Sequence, residues 1–430
     1  MDEAASRLFD EGSFTPADSG TKSRDPLDWP GYRAELEKTQ PGESVRSGPA
    51  RIGGHEVEIA LFDFSFFGGS MGEIAGERLA RAMERAIEQH VPFILRTATG
   101  GARMQEGMRS LVQMPKVVAA RLALSDQGIP FIAVLGNPTT GGVLASLGAL
   151  ADVTLAEAGA TIGFAGPRVA EAFTGKELTG ISHTAEAALS NGLVDEVVDP
   201  HEVHAYLTRV LNVLAHDQAV EAPSPPPTAS NNEGRDAWDT VVAARAENRP
   251  RGYELLLEIA DVLVELRGDR HGEDDPSLDA AIVRVEGRRM VALAMDRERV
   301  PGPGAFRKAL RCIEIAARLG LPIVTFVDTR GADPGEVSES EGIAWEIAKL
   351  FEAMLIAPVP TLSIVIGEGG SGGALAFAAT DVMLMYEDAI FSVIGPEMAA
   401  TILWRDGTRG PEAAALLRLT GPDLVGLGVA

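Results

Sequence analysis

The residues best suited to chemistry sit in four glycine turns: Ala98–Arg103 (ATGGAR), Thr139–Val143 (TTGGV), Asp328–Gly335 (DTRGADPG) and Gly369–Ala374 (GGSGGA). Each follows an apolar run and precedes a helical pattern, which turns backbone N–H groups outward at the start of a helix. Such donors can hold a developing oxyanion or a bound anion. Glycine suits these positions because a ligand carbonyl approaches the main chain closely only where no β-carbon intervenes. One glycine pair can equally serve a tight turn or close helix packing. A set repeated at matching positions argues for a shared chemical role.

Other chemistries fit the sequence less well. Gly369-Gly370-Ser371-Gly372-Gly373 satisfies G-x-S-x-G, but the triad of that motif needs a later histidine, and the last one in the chain is His271. The matching turn of the first half carries Thr140 in place of Ser371. Gly175-Lys176 is followed by Glu177, so it is no phosphate-binding loop, and no G-x-G-x-x-G fingerprint supports a dinucleotide site. His201 and His204 could ligate a metal, but after Asp199-Pro200 they read as an exposed helix face. Pairs such as Asp296 with Glu298, or Glu339 with Glu341, read as exposed mixed charge. What remains is stabilisation of an enolate or oxyanion by main-chain dipoles, without metal or triad.

Those turns must be carried by a repeated framework. VPFILRT around Pro92 and IPFIAVLG around Pro130 are matched by LPIVTFVD around Pro322 and VPTLSIVIG around Pro360, with separations 130 − 92 = 38 and 360 − 322 = 38. GNPTTGGVLAS from Gly136 matches GEGGSGGALAF from Gly367, so Gly141-Gly142 align with Gly372-Gly373. IGFAGP ending at Pro167 matches FSVIGP ending at Pro396. The offsets stay between 229 and 231, which indicates two copies of one fold. Helices are expected over 77–90, 111–127, 306–320 and 339–355, between Pro-led apolar strands. Buried strands alternating with helices predict α/β architecture with a mainly parallel sheet and right-handed crossovers.

The chain has 430 residues, enough for two large domains. The stretch DQAVEAPSPPPTASNNEGR at 217–235 reads as a semi-rigid linker between domains at 1–216 and 236–430. With 38 basic and 62 acidic residues the net charge is −24, a field that repels nucleic-acid phosphates. The single cysteine, Cys312, excludes an intrachain disulfide and Cys-based zinc sites. No signal peptide or membrane-spanning run is evident, and a cytoplasmic protein is expected.

At this level of detail a family resemblance emerges. DEGSF, DPLDW, FFGGSMG, GGARMQEG, PTTGGVLAS and IGFAGPRV resemble the β subunit of bacterial acetyl-CoA carboxylase carboxyltransferase. RGYELL, GDRHGEDD, FRKALR, DTRGADPGE, IGEGGSGGALA and FSVIGPE resemble its α subunit, as though both were fused in one chain. The resemblance implies two tandem crotonase-like (ββα superhelix) domains from an internal duplication. It also implies transfer of carboxylate from carboxybiotin, borne on a biotin carboxyl carrier protein and supplied by a biotin carboxylase, to the α-carbon of an acyl-CoA, most simply acetyl-CoA. In that chemistry the biotin enolate removes the α-proton after CO2 release, and the acyl-CoA enolate attacks CO2, so two oxyanion sites are needed.

Carried over by residue, Gly141 and Gly142 would stabilise the thioester enolate, and Gly373 and Ala374 the biotin enolate. Gly68, Gly69, Gly100 and Gly101 would shape the CoA channel, with Gly331 and Gly372 on the biotin side. Arg103 either binds phosphate or braces the turn. The complete site would form across a homodimer. A malonyl-thioester decarboxylase on the same scaffold and a silent carrier-binding scaffold are the alternatives. The chain departs from the family in lacking the N-terminal four-cysteine zinc ribbon, in carrying Arg330 and Asp333 where Pro and Tyr are usual, and in PGPGAFRK at 301–308. The stretch GLVDEVVDP from Gly192 has no counterpart before Ala430.

Overall fold

The computed structural model describes residues 3–17, 20, 22–39, 42–176, 182–215 and 235–430. The expected linker at 217–235 lies outside the described residues apart from Arg235. The chain divides into two compact units, residues 1–214 with 270–272, and 215–269 with 273–430.

In the first unit, strands β1 (Val45–Ile52) and β2 (His55–Phe62) form an antiparallel hairpin. Strands β3 (Phe93–Thr99), β4 (Phe131–Thr140), β5 (Val153–Glu157) and β7 (Glu196–Val198) extend the sheet in parallel, while the short β6 (Ile162–Gly163) pairs with the far end of β4. All seven positions of β3 are buried, as expected of a strand covered on both faces, with Arg96 inside it paired to Glu157 Oε1 at 2.7 Å. Helices α1 (Glu73–Gln89) and α2 (Gln113–Asp126) fill the crossovers, and α3 (Gly141–Val143) leads into a π-turn over Leu144–Gly148. Leu79, Met83, Phe93, Leu95 and Phe131 meet in the core, the two phenylalanine rings 5.3 Å apart.

The second unit repeats this plan. Its sheet runs β8 (Val262–Glu265), β9 (Leu278–Val285), β10 (Arg288–Met295), β11 (Ile323–Thr329), β12 (Thr361–Gly370) and β13 (Val382–Met385), with β14 (Ile390–Ser392) on the far end of β12. Helices α4 (Pro303–Leu319), α5 (Ile343–Ile356) and α6 (Ser371–Ala378) take the places of α1 to α3. Phe306 of α4 packs on Phe377 of α6 with ring centroids 5.5 Å apart. The sheets are parallel from β2 and from β10 onward, each opened by antiparallel pairing. They differ at both edges: β7 lies beyond β5 in the first, whereas β8 is added beside β9 at the opposite edge of the second.

Local chemistry explains the shifted helix limits. Pro303 opens α4, three residues before the expected start, because a missing N–H costs nothing in the first turn, and Gly320 in the left-handed region ends it. The expected helices at 111–127 and 339–355 each appear as two pieces. Met108–Leu111 and Gln113–Asp126 meet at Val112, and Glu336–Ser340 and Ile343–Ile356 are separated by Gly342 at φ 82°.

Both sheets carry the same irregularity. The β3/β4 register shifts between Thr97 and Thr99, and the β11/β12 register shifts between Val327 and Thr329. Past the shift Thr99 faces Thr139, and Thr329 faces Gly369. The true offset here is therefore 369 − 139 = 230, which corrects the sequence alignment by one residue. Gly141 corresponds to Ser371 and Gly142 to Gly372, so the first-unit match for Ser371 is Gly141 and not Thr140.

Candidate active site

In the first unit, the turn after β3 lies against the start of α3. A β-carbon on Gly101 would stand 3.2 Å from the Gly141 α-carbon and 3.3 Å from the Gly142 nitrogen. Behind the turn, Gly100 N–H donates to the Gly68 carbonyl at 2.9 Å, and Gly69 passes so close to the Ala98 carbonyl that a β-carbon would lie 1.9 Å from its oxygen. Gly68, Gly69, Gly100, Gly101, Gly141 and Gly142 are thus brought together.

The hydrogen bonds of these groups sort them by function. Gly101 N–H is spent on Thr99 Oγ1 at 3.0 Å, and Gly141 N–H on the Phe164 carbonyl at 2.9 Å. Gly141 therefore shapes the turn, at φ 68°, and its donor is already engaged, contrary to the role expected for it. Gly142 N–H and Ala102 N–H donate to nothing among the described residues. Around Ala102, Met71 N–H bonds the Gly101 carbonyl and Arg103 N–H bonds the Met71 carbonyl, so the alternation of the bridge turns the Ala102 N–H away from Met71.

The second unit has the same arrangement. Gly331 N–H bonds Thr329 Oγ1 at 3.2 Å, as Gly101 bonds Thr99, and Ala332 occupies the place of Ala102. A β-carbon on Gly373 would stand 2.6 Å from the Ala332 nitrogen, whereas one on Gly372 would meet nothing within 4 Å. The donors without an intrahelical acceptor are those of the opening residues of α6, Ser371, Gly372 and Gly373. Ala374 is a residue deeper and fully buried, so the available donors lie earlier than the expected Gly373 and Ala374 pair. Gly331, Gly372 and Gly373 are brought together; Ala374 supports them from within the helix.

Ala102 and Ala332 escaped the sequence reading because alanine carries no chemistry of its own. The signal was their recurrence at the common offset, in GGAR and RGAD.

Buried charges hold these turns in place. Arg103 is fully buried and bonds Glu43 Oε1 at 2.5 Å, Glu106 Oε1 at 2.9 Å, Ser23 Oγ at 2.7 Å and the Ser70 carbonyl at 2.7 Å. Tyr32 OH adds a bond to Glu106 at 2.8 Å. Burial is the largest single influence and would weaken the guanidinium, but the Glu43 charge and hydrogen bond, with Tyr32 and Glu106, together outweigh it and hold the Arg103 pKa above its usual value. Burial likewise pushes Glu43 up, and Arg103 together with the bonds from Ser23 Oγ and Ser44 N–H more than reverses this. The donors of Arg103 are engaged and its side chain is fully buried, a geometry that braces the turn, the second of the two roles expected for it.

In the second unit, Arg245 forks onto Glu368 at 2.8 and 2.7 Å and reaches Glu397 at 2.6 Å. Asp328 accepts from Glu368 N–H at 2.9 Å and from Arg249 at 2.8 Å, while burial raises its pKa. The unusual Asp333 caps its own turn, bonding Gly335 N–H at 3.0 Å and Ser338 Oγ at 2.6 Å. Arg330 stays 75% exposed, with Glu368 3.8 Å away.

The remaining candidates are structural. His204 Nε2 meets Asp10 at 2.8 Å and His201 meets Arg7 at 2.6 Å; no metal-binding group occurs among the described residues. No helix among them is long and apolar enough to cross a membrane.

Residues 229–430 match the family model described as acetyl co-enzyme A carboxylase carboxyltransferase-like. The acetyl-coenzyme A carboxylase carboxyl transferase subunits beta/alpha of Salinispora arenicola are 42% identical over 98% of this chain and 80% of the relative. A probable biotin-dependent acyl-coenzyme A carboxylase beta3 subunit of Mycobacterium bovis is 35% identical over 100% of this chain and 87% of its own length. Among solved structures, transcarboxylase 12S with methylmalonyl-coenzyme A and methylmalonic acid bound superposes with TM-score 0.83 at 26% identity, covering 100% of this chain and 85% of that one. With two crotonase-fold units in tandem and relatives of this similarity, the chain belongs to the acetyl-CoA carboxylase carboxyltransferase family.

Proposed function

We propose that this protein is the carboxyltransferase component of a biotin-dependent acyl-CoA carboxylase, moving carboxylate from carboxybiotin to the α-carbon of an acyl-CoA, with acetyl-CoA giving malonyl-CoA. The observation that carries this reading is the repetition of one donor arrangement in both units. Each sets an unengaged alanine N–H beside an unengaged N–H in the first turn of a helix, that of Gly142 in the first unit and of Gly372 in the second. A transfer between two carbonyl compounds, each of which becomes an oxyanion, needs two such holes.

In the first unit, Ala102 and Gly142 hold the thioester oxygen as the α-carbon becomes an enolate. In the second, Ala332 with Gly372 and Gly373 hold the ureido oxygen of biotin, and the open space at Gly372 admits it. Carboxybiotin, when bound, supplies the carboxyl group and, after its loss, the base for the α-proton. The chain itself contributes position and hydrogen-bond donors. Gly68, Gly69, Gly100 and Gly101 shape the thioester channel, and Gly331 the biotin side.

The domain division that goes with this function is 1–216 for the acyl-CoA side, 217–235 as linker and 236–430 for the biotin side. The partners are a biotin carboxyl carrier protein and a biotin carboxylase, in the cytoplasm. A homodimer is part of the proposal. It is supported by an apolar side chain left bare beside the 139–143 turn, Phe164 at 72% exposed, whose carbonyl accepts from Gly141 N–H. An active monomer in gel filtration overturns the dimer.

The central test is malonyl-CoA-dependent carboxylation of biocytin, the reverse reaction. Biocytin-dependent loss of malonyl-CoA supports carboxyl transfer. Decarboxylation at the same rate without biocytin overturns it.

A further inference from the structure

We propose that Ser371 is a catalytic residue of the second unit, its hydroxyl donating a hydrogen bond to the carboxyl-bearing ureido group of carboxybiotin. The inference rests on the carboxyltransferase reading and adds a side chain to a site otherwise made of main chain.

Ser371 is the first residue of α6, and it sits at φ 59°. That left-handed conformation costs any residue with a β-carbon, and its counterpart in the first unit, Gly141 at φ 68°, avoids the cost by having none. The chain thus keeps a hydroxymethyl group where glycine would be easier. A structural duty for that group is not found. The side chain caps no helix, and Ser371 Oγ bonds to nothing among the described residues.

Its position fits a ligand contact instead. Ser371 is exposed, and its β-carbon lies 3.9 Å from where a β-carbon on Gly331 would be, so the residue stands beside the turn that carries the Ala332 donor. The neighbouring Gly372 borders open space. A substrate oxygen held by the N–H groups of this turn and of α6 comes within reach of the hydroxyl.

The chemistry asked of Ser371 is donation of one hydrogen bond, with no covalent bond formed or broken at Oγ. A hydroxyl can donate to the ureido oxygen as negative charge develops there. A nucleophilic role would require a base beside Oγ, and no described residue bonds it.

Full-length Ser371→Gly and Ser371→Ala are compared with the unaltered protein in biocytin-dependent consumption of malonyl-CoA, alongside thermal unfolding. Expected is a fall in kcat of about 10- to 100-fold in both variants, the range for loss of one oxyanion donor with others retained. The KM for malonyl-CoA stays constant, and the Tm of Ser371→Gly rises as the backbone relaxes. Higher stability with lower turnover is an outcome that a purely structural serine would not give. Unaltered kcat in Ser371→Gly overturns the inference while leaving the carboxyltransferase reading intact. No biocytin-dependent turnover by the unaltered protein overturns both.

Discussion

Gly141 and Gly101 face one another so closely that a β-carbon on Gly141 would stand 3.0 Å from the Gly101 α-carbon. This contact draws two turns, 40 residues apart in sequence, into one donor-lined hollow. Gly141→Ala adds a β-carbon both at positive φ and into that contact. It is expected to lower stability by about 1–2 kcal/mol from the backbone alone. Malonyl-CoA turnover should fall at least about tenfold as the Ala102 and Gly142 donors separate. Urea unfolding and steady-state kinetics read the two effects. Turnover equal to that of the unaltered protein would remove Gly141 from the site.

Gly372 and Gly373 are neighbours with opposite expectations. A methyl group on Gly372 enters open space, whereas one on Gly373 meets the Ala332 backbone at 2.6 Å. Gly372→Ala should therefore match or exceed the unaltered protein in Tm, because alanine is favoured over glycine in a helix by about 0.5–1 kcal/mol. Its biocytin-dependent turnover should nevertheless fall, since the added methyl occupies ligand space. Gly373→Ala should lose both. Full activity in Gly372→Ala would show that the ligand does not approach there.

Arg103 offers a choice between bracing and binding. Arg103→Met leaves Glu43 and Glu106 buried without their cation, an effect of about 3–5 kcal/mol. Arg103→Lys keeps the charge but loses the fork and should fall between. A substrate-binding arginine would behave differently, raising KM while leaving the urea midpoint unchanged.

The same cluster sets an acid limit. Glu43 has its pKa held below the ordinary 4.5 in the folded protein. Its contribution to stability is therefore complete above 4.5 and is lost as pH falls through the lower folded value, because the unfolded chain takes up the proton first. Glu43→Gln should flatten the decline of the urea midpoint on the acid side. An unchanged acid limb would mean that Glu43 contributes no such linkage.

Much of this was legible in the sequence. Pro-led apolar runs spaced by 38 residues, twice, revealed the duplicated parallel sheets, since strands buried on both faces must be continuously apolar. The four glycine turns were visible for a related reason, because close main-chain approach admits few other residues.

Which donors remain free was decided only by tertiary structure, because hydrogen-bond partners and burial come from residues distant along the chain. Gly141 looked like an oxyanion donor until the Phe164 carbonyl was found on its N–H. Arg103 looked able to meet a phosphate until Glu43, 60 residues earlier, was found beside it in the interior. The strand register past the Thr97/Thr99 and Val327/Thr329 irregularities moved Ser371 onto Gly141, a one-residue change that the sequence pointed away from, because its glycines match at three positions with offset 231 and at only one with offset 230. Ala102 and Ala332 became visible for the same reason, as the folded turns leave their N–H groups without a partner.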